Sequence, residues 1–88
     1  MQCRIDVRDE NEGRVVLLAG RLAEAQVPAL LEACGGAHAP PVLELSELVS
    51  ADAVGIDALL RVEQMGARLV GVPEYIRLTL DAMARERR

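Results

Sequence analysis

The stretch that decides the fold is residues 42–60, VLELSELVSADAVGIDALL. Residues 42–45 are apolar except for one glutamate, which is typical of a short strand. A polar segment with two serines, Ser46 and Ser50, then predicts a loop. From Asp52 onward apolar residues recur at helical spacing, and aspartate is favoured at a helix N-cap. A strand that enters a helix through such a loop offers backbone N–H groups to a phosphate, a carboxylate or an acidic side chain of a partner.

The composition indicates a single small domain over residues 1–88 with an aliphatic core. Hydrophobic residues make up 51% of the chain, and Tyr75 is its one aromatic residue. Few aromatic rings and a net charge of −4 argue against a nucleic-acid-binding surface. All ten basic residues are arginine, which excludes a Walker-type phosphate loop and Schiff-base chemistry on lysine. The sequence shows neither a hydrophobic signal region nor an apolar segment long enough to span a membrane. We therefore expect a cytoplasmic protein that does not insert into a membrane.

The remaining patterns predict the order β-β-α-β-α-β-α. Alternating residues and a short turn predict an antiparallel hairpin at the start, and the later alternation of strands with helices predicts parallel pairing with right-handed crossovers. The fold class is therefore α/β, with a four-stranded mixed sheet and helices mainly on one face. Apolar runs on the open face would then favour a homodimer. The predicted strands cover 2–8, 14–19 (ended by Gly20), 42–45 and 68–72, and the predicted helices cover 23–34 (regular from Pro28), 53–65 and the segment from Pro73.

Catalytic, metal and cofactor sites are not expected. His38 is the one histidine, and neither serine of the predicted loop lies in a nucleophile elbow. Cys3 and Cys34 form no C-x-x-C pair and have no metal-ligand spacing with His38. Both thiols are expected to be reduced, with a disulfide as the alternative. Asp52 and Asp57 lie five residues apart, so they do not share a helical face as a catalytic pair would.

The exposed start of the second helix is the best candidate for a site. Asp52 is the predicted N-cap, and Ala53 and Val54 project from the first turn. Val54 is either tucked against the preceding loop or offered to a partner, and the sequence leaves both open.

The residues described so far resemble the signature of the STAS domain family (sulfate transporter and anti-sigma factor antagonist). That signature runs strand, Asp-Leu-Ser, a variable loop, Asp-Ser-x-Gly and an apolar helix, and ELSELVSADAVGIDALL at 44–60 carries the similarity. GRVVLLAGRL at 13–22 looks like the second strand of the family, and GARLVGVPEYIRLTL at 66–80 resembles its fourth strand and last helix. The resemblance implies a STAS/SpoIIAA-like fold and a role in regulatory protein–protein interaction.

Matched position by position, Asp52 is the motif aspartate, Gly55 the motif glycine and Ser46 the serine of Asp-Leu-Ser, whose aspartate is replaced by Glu44. In stand-alone family members the serine after the motif aspartate is phosphorylated by an anti-sigma factor kinase, and the phosphate breaks the complex. That position is Ala53 here, which has no hydroxyl group. The resemblance therefore predicts a constitutive binder.

The predicted partner is an anti-sigma factor or a GHKL-type sensor kinase in transcription control. An accessory subunit that serves the ATPase of an ABC-type lipid transporter, or a module that binds a small ligand at the helix N-terminus, is the alternative. The predicted partner-binding residues are Ser46, Ser50, Asp52, Ala53, Val54, Gly55 and Asp57, with Ala53 as the degenerate phosphorylation position.

Overall fold

The computed structural model describes residues 3–11, 13–35 and 40–86. The order of its strands and helices confirms the predicted β-β-α-β-α-β-α, with a short 3-10 turn (Glu24–Gln26) before the first helix. The strands are β1 (Arg4–Glu10), β2 (Gly13–Leu22), β3 (Val42–Ala51) and β4 (Arg68–Val70), and the helices are α1 (Val27–Cys34), α2 (Ala53–Gln64) and α3 (Glu74–Glu86).

The four strands form one mixed sheet in the order β1-β2-β3-β4. β1 pairs with β2 in an antiparallel hairpin, because only a short turn joins them. β3 runs parallel to β2, and β4 runs parallel to β3, because a helix returns the chain before each of these strands. The predicted mixed sheet is confirmed.

The core lies between one face of this sheet and the helices. Leu18 and Leu43 fill it from the strands, and Leu30, Leu59 and Leu80 fill it from the helices; all five are almost completely buried. The opposite face of the sheet carries a stripe of half-buried apolar residues. This stripe, which we call the open sheet face, contains Val15, Leu17, Ala19, Val42 and Val70.

Two predictions about the central strands were wrong. β2 does not end at Gly20, and residues 46–50 are not a loop, because β2 continues to Leu22 and β3 continues to Ala51. The register between β2 and β3 shifts twice in this region, because β3 has an extra residue at each of two bulges. The strand therefore continues through its polar residues. Leu22 and Leu48 are both buried there. Burial of these two leucines favours strand over loop more strongly than the serines favour loop.

Smaller differences occur at the ends of elements. β1 covers residues 4–10 in place of 2–8, and residue 2 lies outside the described part. β4 stops at Val70, two residues early, because Gly71 turns the chain with a φ of 64°. L side chains rarely adopt this positive φ, so glycine is favoured at this turn.

Both cysteines are free and partly buried, so the alternative of a disulfide between them is not realised in this structure. Burial raises the pKa of the Cys3 thiol and of the Cys34 thiol. His38 lies outside the described residues. No helix in the described part of the chain has the length and apolar character needed to cross a membrane.

Candidate functional site

Asp52 joins three elements at the edge of the sheet where β2 and β3 end. Its Oδ1 accepts a hydrogen bond of 2.7 Å from the backbone N–H of Gly55, in the first turn of α2. Its Oδ2 accepts a bond of 3.1 Å from the backbone N–H of Glu24, at the start of the 3-10 turn. The N–H of Asp52 itself donates to the Leu22 carbonyl at the end of β2, at 3.0 Å. The predicted N-cap is therefore confirmed, and it also positions the 3-10 turn.

The carboxylate of Asp52 is held in its charged form. The N–H groups of Gly55 and then Glu24 lower the pKa of this carboxyl, and the positive charge of Arg21 lowers it further. Asp52 thus places its own negative charge at the N-terminal end of the α2 dipole, where an anion is favoured. The N-terminus of α2, where the sequence suggested that an anion could bind, is therefore occupied by the carboxylate of Asp52 itself.

Gly55 is buried, and the contact that requires a glycine is internal. A Cβ atom at this position would lie 2.6 Å from the Leu22 carbonyl oxygen and 3.1 Å from its Cγ. Real Cβ atoms do not approach backbone oxygens so closely, so α2 can pack against the end of β2 only if this residue lacks a side chain. Gly55 therefore fixes the position of the helix start and faces inward.

Ala53 and Val54 form the outward surface of the same turn. Both are exposed, and Val54 keeps 41% of its surface accessible. Val54 is therefore not tucked against the preceding loop, which was one of the two alternatives left open for it. Ala53 and Val54 thus form a small uncharged patch. We call this patch, together with Asp52, the α2 N-terminal site.

The structure brings together only part of the predicted site. Ser50 is half-buried and pairs in register with Arg21 on β2, at the same end of the sheet as Asp52. Asp57 lies one turn further along α2, where its carboxylate is 3.7 Å from the Arg61 guanidinium. Ser46 is exposed but lies five residues before the end of β3, about 15 Å away along the strand. Ser46 is therefore remote from the α2 N-terminal site.

Arg21 and Glu24, which are not among the predicted site residues, border the site. Glu24 donates its backbone N–H to Asp52, and Arg21 contributes positive charge beside it. The predicted order of elements already implied this neighbourhood, because the carboxyl ends of parallel strands meet at one edge of a sheet. The segment after β2 therefore had to lie beside the segment after β3.

Within the described residues, no group of three or more histidine, cysteine, aspartate or glutamate side chains is arranged to hold a metal ion.

The fold of this chain is similar to that of solved structures. No protein-family model matches the sequence, and no curated protein matches it. A crystal structure of an antisigma-factor antagonist, a STAS domain from Rhodobacter sphaeroides, superposes with a TM-score of 0.58 and 24% sequence identity, covering 78% of this chain and 86% of that one. An uncharacterized protein of the DUF3478 family with a SpoIIAA-like fold, from Shewanella loihica PV-4, gives a TM-score of 0.48 and 14% identity over 81% of this chain and 68% of that one. The chain has the fold of a STAS domain.

Proposed function

We propose that this chain is a non-catalytic regulatory module that binds a protein partner in the cytoplasm through the α2 N-terminal site, in the manner of an anti-sigma factor antagonist. The proposed partner is an anti-sigma factor or a GHKL-type sensor kinase. The observation that carries the proposal is the exposed, uncharged Ala53–Val54 surface beside a carboxylate that is already satisfied within the chain. Such a surface can be covered by a partner without leaving an unpaired charge.

The environment of Ala53 supports a binder without a phosphate switch. Ala53 is the first residue of α2 and follows the charged Asp52 directly. A phosphate at this position would bring about two further negative charges next to that carboxylate, which would repel an acidic partner. Alanine brings neither charge nor bulk, so it corresponds to the unphosphorylated state.

The same geometry favours a protein partner over a small anionic ligand at this helix end. The Gly55 N–H, which an anion would need, already donates to Asp52 over 2.7 Å. An anion would have to displace that carboxylate and overcome its charge. The α2 N-terminal site is thus better suited to contact through Val54 than to anion binding.

The proposal is tested by a charge placed on the patch. Val54→Asp puts a carboxylate in the centre of the proposed contact, and burial of an unpaired charge is costly. We expect the dissociation constant of the partner complex to rise at least about tenfold, with the melting temperature nearly unchanged. Met65→Asp is the matched control, because Met65 is 76% exposed at the other end of α2. If Val54→Asp and Met65→Asp bind equally well, the contact surface lies elsewhere.

Affinity purification from the native cell with the wild-type chain and both variants identifies the partner. A GHKL-type kinase or a sigma-factor regulator that is lost with Val54→Asp supports the proposal, whereas a transporter ATPase supports the accessory-subunit alternative. Incubation of the chain with the recovered kinase and ATP should give no phosphate on residues 42–60 by mass spectrometry. Phosphate on Ser46 or Ser50 would refute the constitutive mode of binding.

A further inference from the structure

Helix α3 carries two apolar stripes, and only one of them is used by the core. The inner stripe, which includes Ile76 and Leu80, is fully buried. The outer stripe contains Tyr75, Leu78 and Ala82, at spacings of three and four residues. Tyr75 is 50% exposed and Leu78 is 61% exposed, and Ala82 is exposed as well. A three-four spacing is the pattern by which one helix packs along another.

The contacts of α3 leave this outer stripe directed away from the neighbouring helix. The Arg77 guanidinium forms two hydrogen bonds with the Glu63 carboxylate of α2, at 3.0 and 3.1 Å. Its Nε lies 3.3 Å from Asp81, an ion pair without hydrogen-bond geometry. Arg77 therefore marks the flank of α3 that faces α2. Since α2 packs against both α1 and α3, α3 lies at one side of the helix layer.

The first residue of the outer stripe is held in place by a contact with the sheet. The Tyr75 hydroxyl donates a hydrogen bond to the Val49 carbonyl, at a bulge of β3. Val49 is itself 56% exposed. A fixed ring loses little side-chain entropy when a second molecule covers it.

Opposite charges bound the outer stripe at its two ends. Glu74 lies in the first turn of α3, directly before Tyr75, and Arg85 lies in the last turn, three residues beyond Ala82. They are eleven residues apart, which corresponds to about 16 Å along a helix. Two copies of α3 in antiparallel orientation would place Glu74 of each copy beside Arg85 of the other, and Leu78 beside Ala82. A parallel arrangement would place like charges together at both ends, which is unfavourable.

We propose that the outer stripe of α3 is a self-association surface, on which a second copy of this chain packs its own α3 in antiparallel, two-fold symmetric orientation. The apolar contact is formed by Tyr75, Leu78 and Ala82, and the two Glu74–Arg85 pairs set the direction. A single helix pair supplies fewer residues than the roughly 20–30 a side of a stable interface, so the dimer is weak and depends on concentration. The α2 N-terminal site is not part of this contact.

Sedimentation equilibrium of the full chain from about 10 μM to about 500 μM tests the proposal, since this range covers a weak dissociation constant. The wild-type mass should rise from 9.5 kDa toward twice that value. Leu78→Glu should stay at the monomer mass, with an unchanged circular dichroism spectrum. Leu17→Thr, on the open sheet face, is the control and should associate like the wild type. A wild-type chain that stays monomeric, or a dimer lost in Leu17→Thr and kept in Leu78→Glu, would overturn the proposal.

A charge exchange tests the orientation of the two helices. Glu74→Arg alone and Arg85→Glu alone each place like charges together in an antiparallel dimer, so each should weaken association at least about tenfold. An equimolar mixture of the two variants should associate as strongly as the wild type, because every Arg then faces a Glu of the other chain. This rescue does not depend on how much each substitution affects its own helix end. Failure of the mixture to associate would exclude the antiparallel pair.

Discussion

Asp52 uses both of its carboxylate oxygens within the chain, whereas Val54, two residues later, leaves 41% of its surface exposed. Between them Ala53 supplies neither a hydrogen-bonding side chain nor a charge. Gly55 then turns inward against Leu22. At the scale of single residues, the motif is thus divided into an internal part that builds the helix start and an outward part that stays exposed.

Gly55→Ala should destabilise the fold. Alanine improves helix propensity by about 1 kcal/mol, but the added Cβ would lie 2.6 Å from a backbone oxygen that belongs to a paired strand. Overpacking of this kind costs about 1–3 kcal/mol, so the net change in the free energy of unfolding should be a loss. Urea denaturation followed by circular dichroism measures it.

Gly35→Ala is the matched control for that substitution. Gly35 follows α1 with a φ of −83°, which any residue can adopt, and a Cβ there would be 3.4 Å from its nearest neighbour. Its free energy of unfolding should stay within about 0.5 kcal/mol of the wild type. Equal effects of the two alanines would show that the Leu22 contact does not decide the role of Gly55.

At the scale of elements, the end of β2, the 3-10 turn and α2 are joined through Asp52. Each element has backbone N–H groups or carbonyls that no neighbour within the same element can satisfy. The Asp52 carboxylate accepts from the N–H groups of Gly55 and Glu24, at 2.7 and 3.1 Å. The Asp52 N–H donates to the Leu22 carbonyl at 3.0 Å. The position of α2 over the sheet therefore depends on a residue that lies outside both the helix and the strand.

Asp52→Asn should weaken this junction in a pH-dependent way. The folded-state pKa of Asp52 lies below its ordinary value, chiefly because the Gly55 N–H favours the charged carboxylate. Its contribution to stability is therefore present above the unfolded pKa of roughly 4 and is lost as pH falls through the folded pKa. Asparagine retains one acceptor oxygen, but its NH₂ group cannot accept from Glu24. The melting temperature of Asp52→Asn should be lower than that of the wild type at neutral pH, and the gap should close in acid.

Thermal unfolding at a series of pH values measures that gap. Glu24→Gln is the control, because it keeps the backbone N–H that donates to Asp52 and changes a side chain that is exposed. It should melt close to the wild type at neutral pH. A gap for Asp52→Asn that is the same at every pH would contradict the electrostatic explanation.

At the scale of the whole molecule, one aliphatic core supports every element. The folding of 88 residues gives a stability of only about 4–13 kcal/mol, so single core residues matter. Leu59 is fully buried at the centre of α2, and Leu59→Ala should cost about 2–5 kcal/mol. Leu78→Ala, in the exposed stripe of α3, should change the free energy of unfolding by less than about 0.5 kcal/mol. Chemical denaturation at low protein concentration compares the two, and a similar loss in both would show that α3 packs differently from the structure.

Several features of this protein were determined by short stretches of sequence. The order of elements, the hairpin of β1 and β2, and the N-cap at Asp52 all follow from periodicity, turn residues and capping preferences, which act over a few residues. The absence of a hydroxyl group at Ala53 is likewise a property of the sequence alone. These features can be predicted because they depend on interactions between residues that are close in the sequence.

Other features were decided only by the tertiary structure. The lengths of β2 and β3 depend on the burial of Leu22 and Leu48 against distant helices, and a strand continues only where a partner strand continues. The inward role of Gly55 depends on a carbonyl 33 positions earlier in the chain, at Leu22. The exposure of Val54 and the separation of Ser46 from the α2 N-terminal site are also results of packing. A sequence pattern records which residues can be buried, but contacts between remote segments decide which of them are.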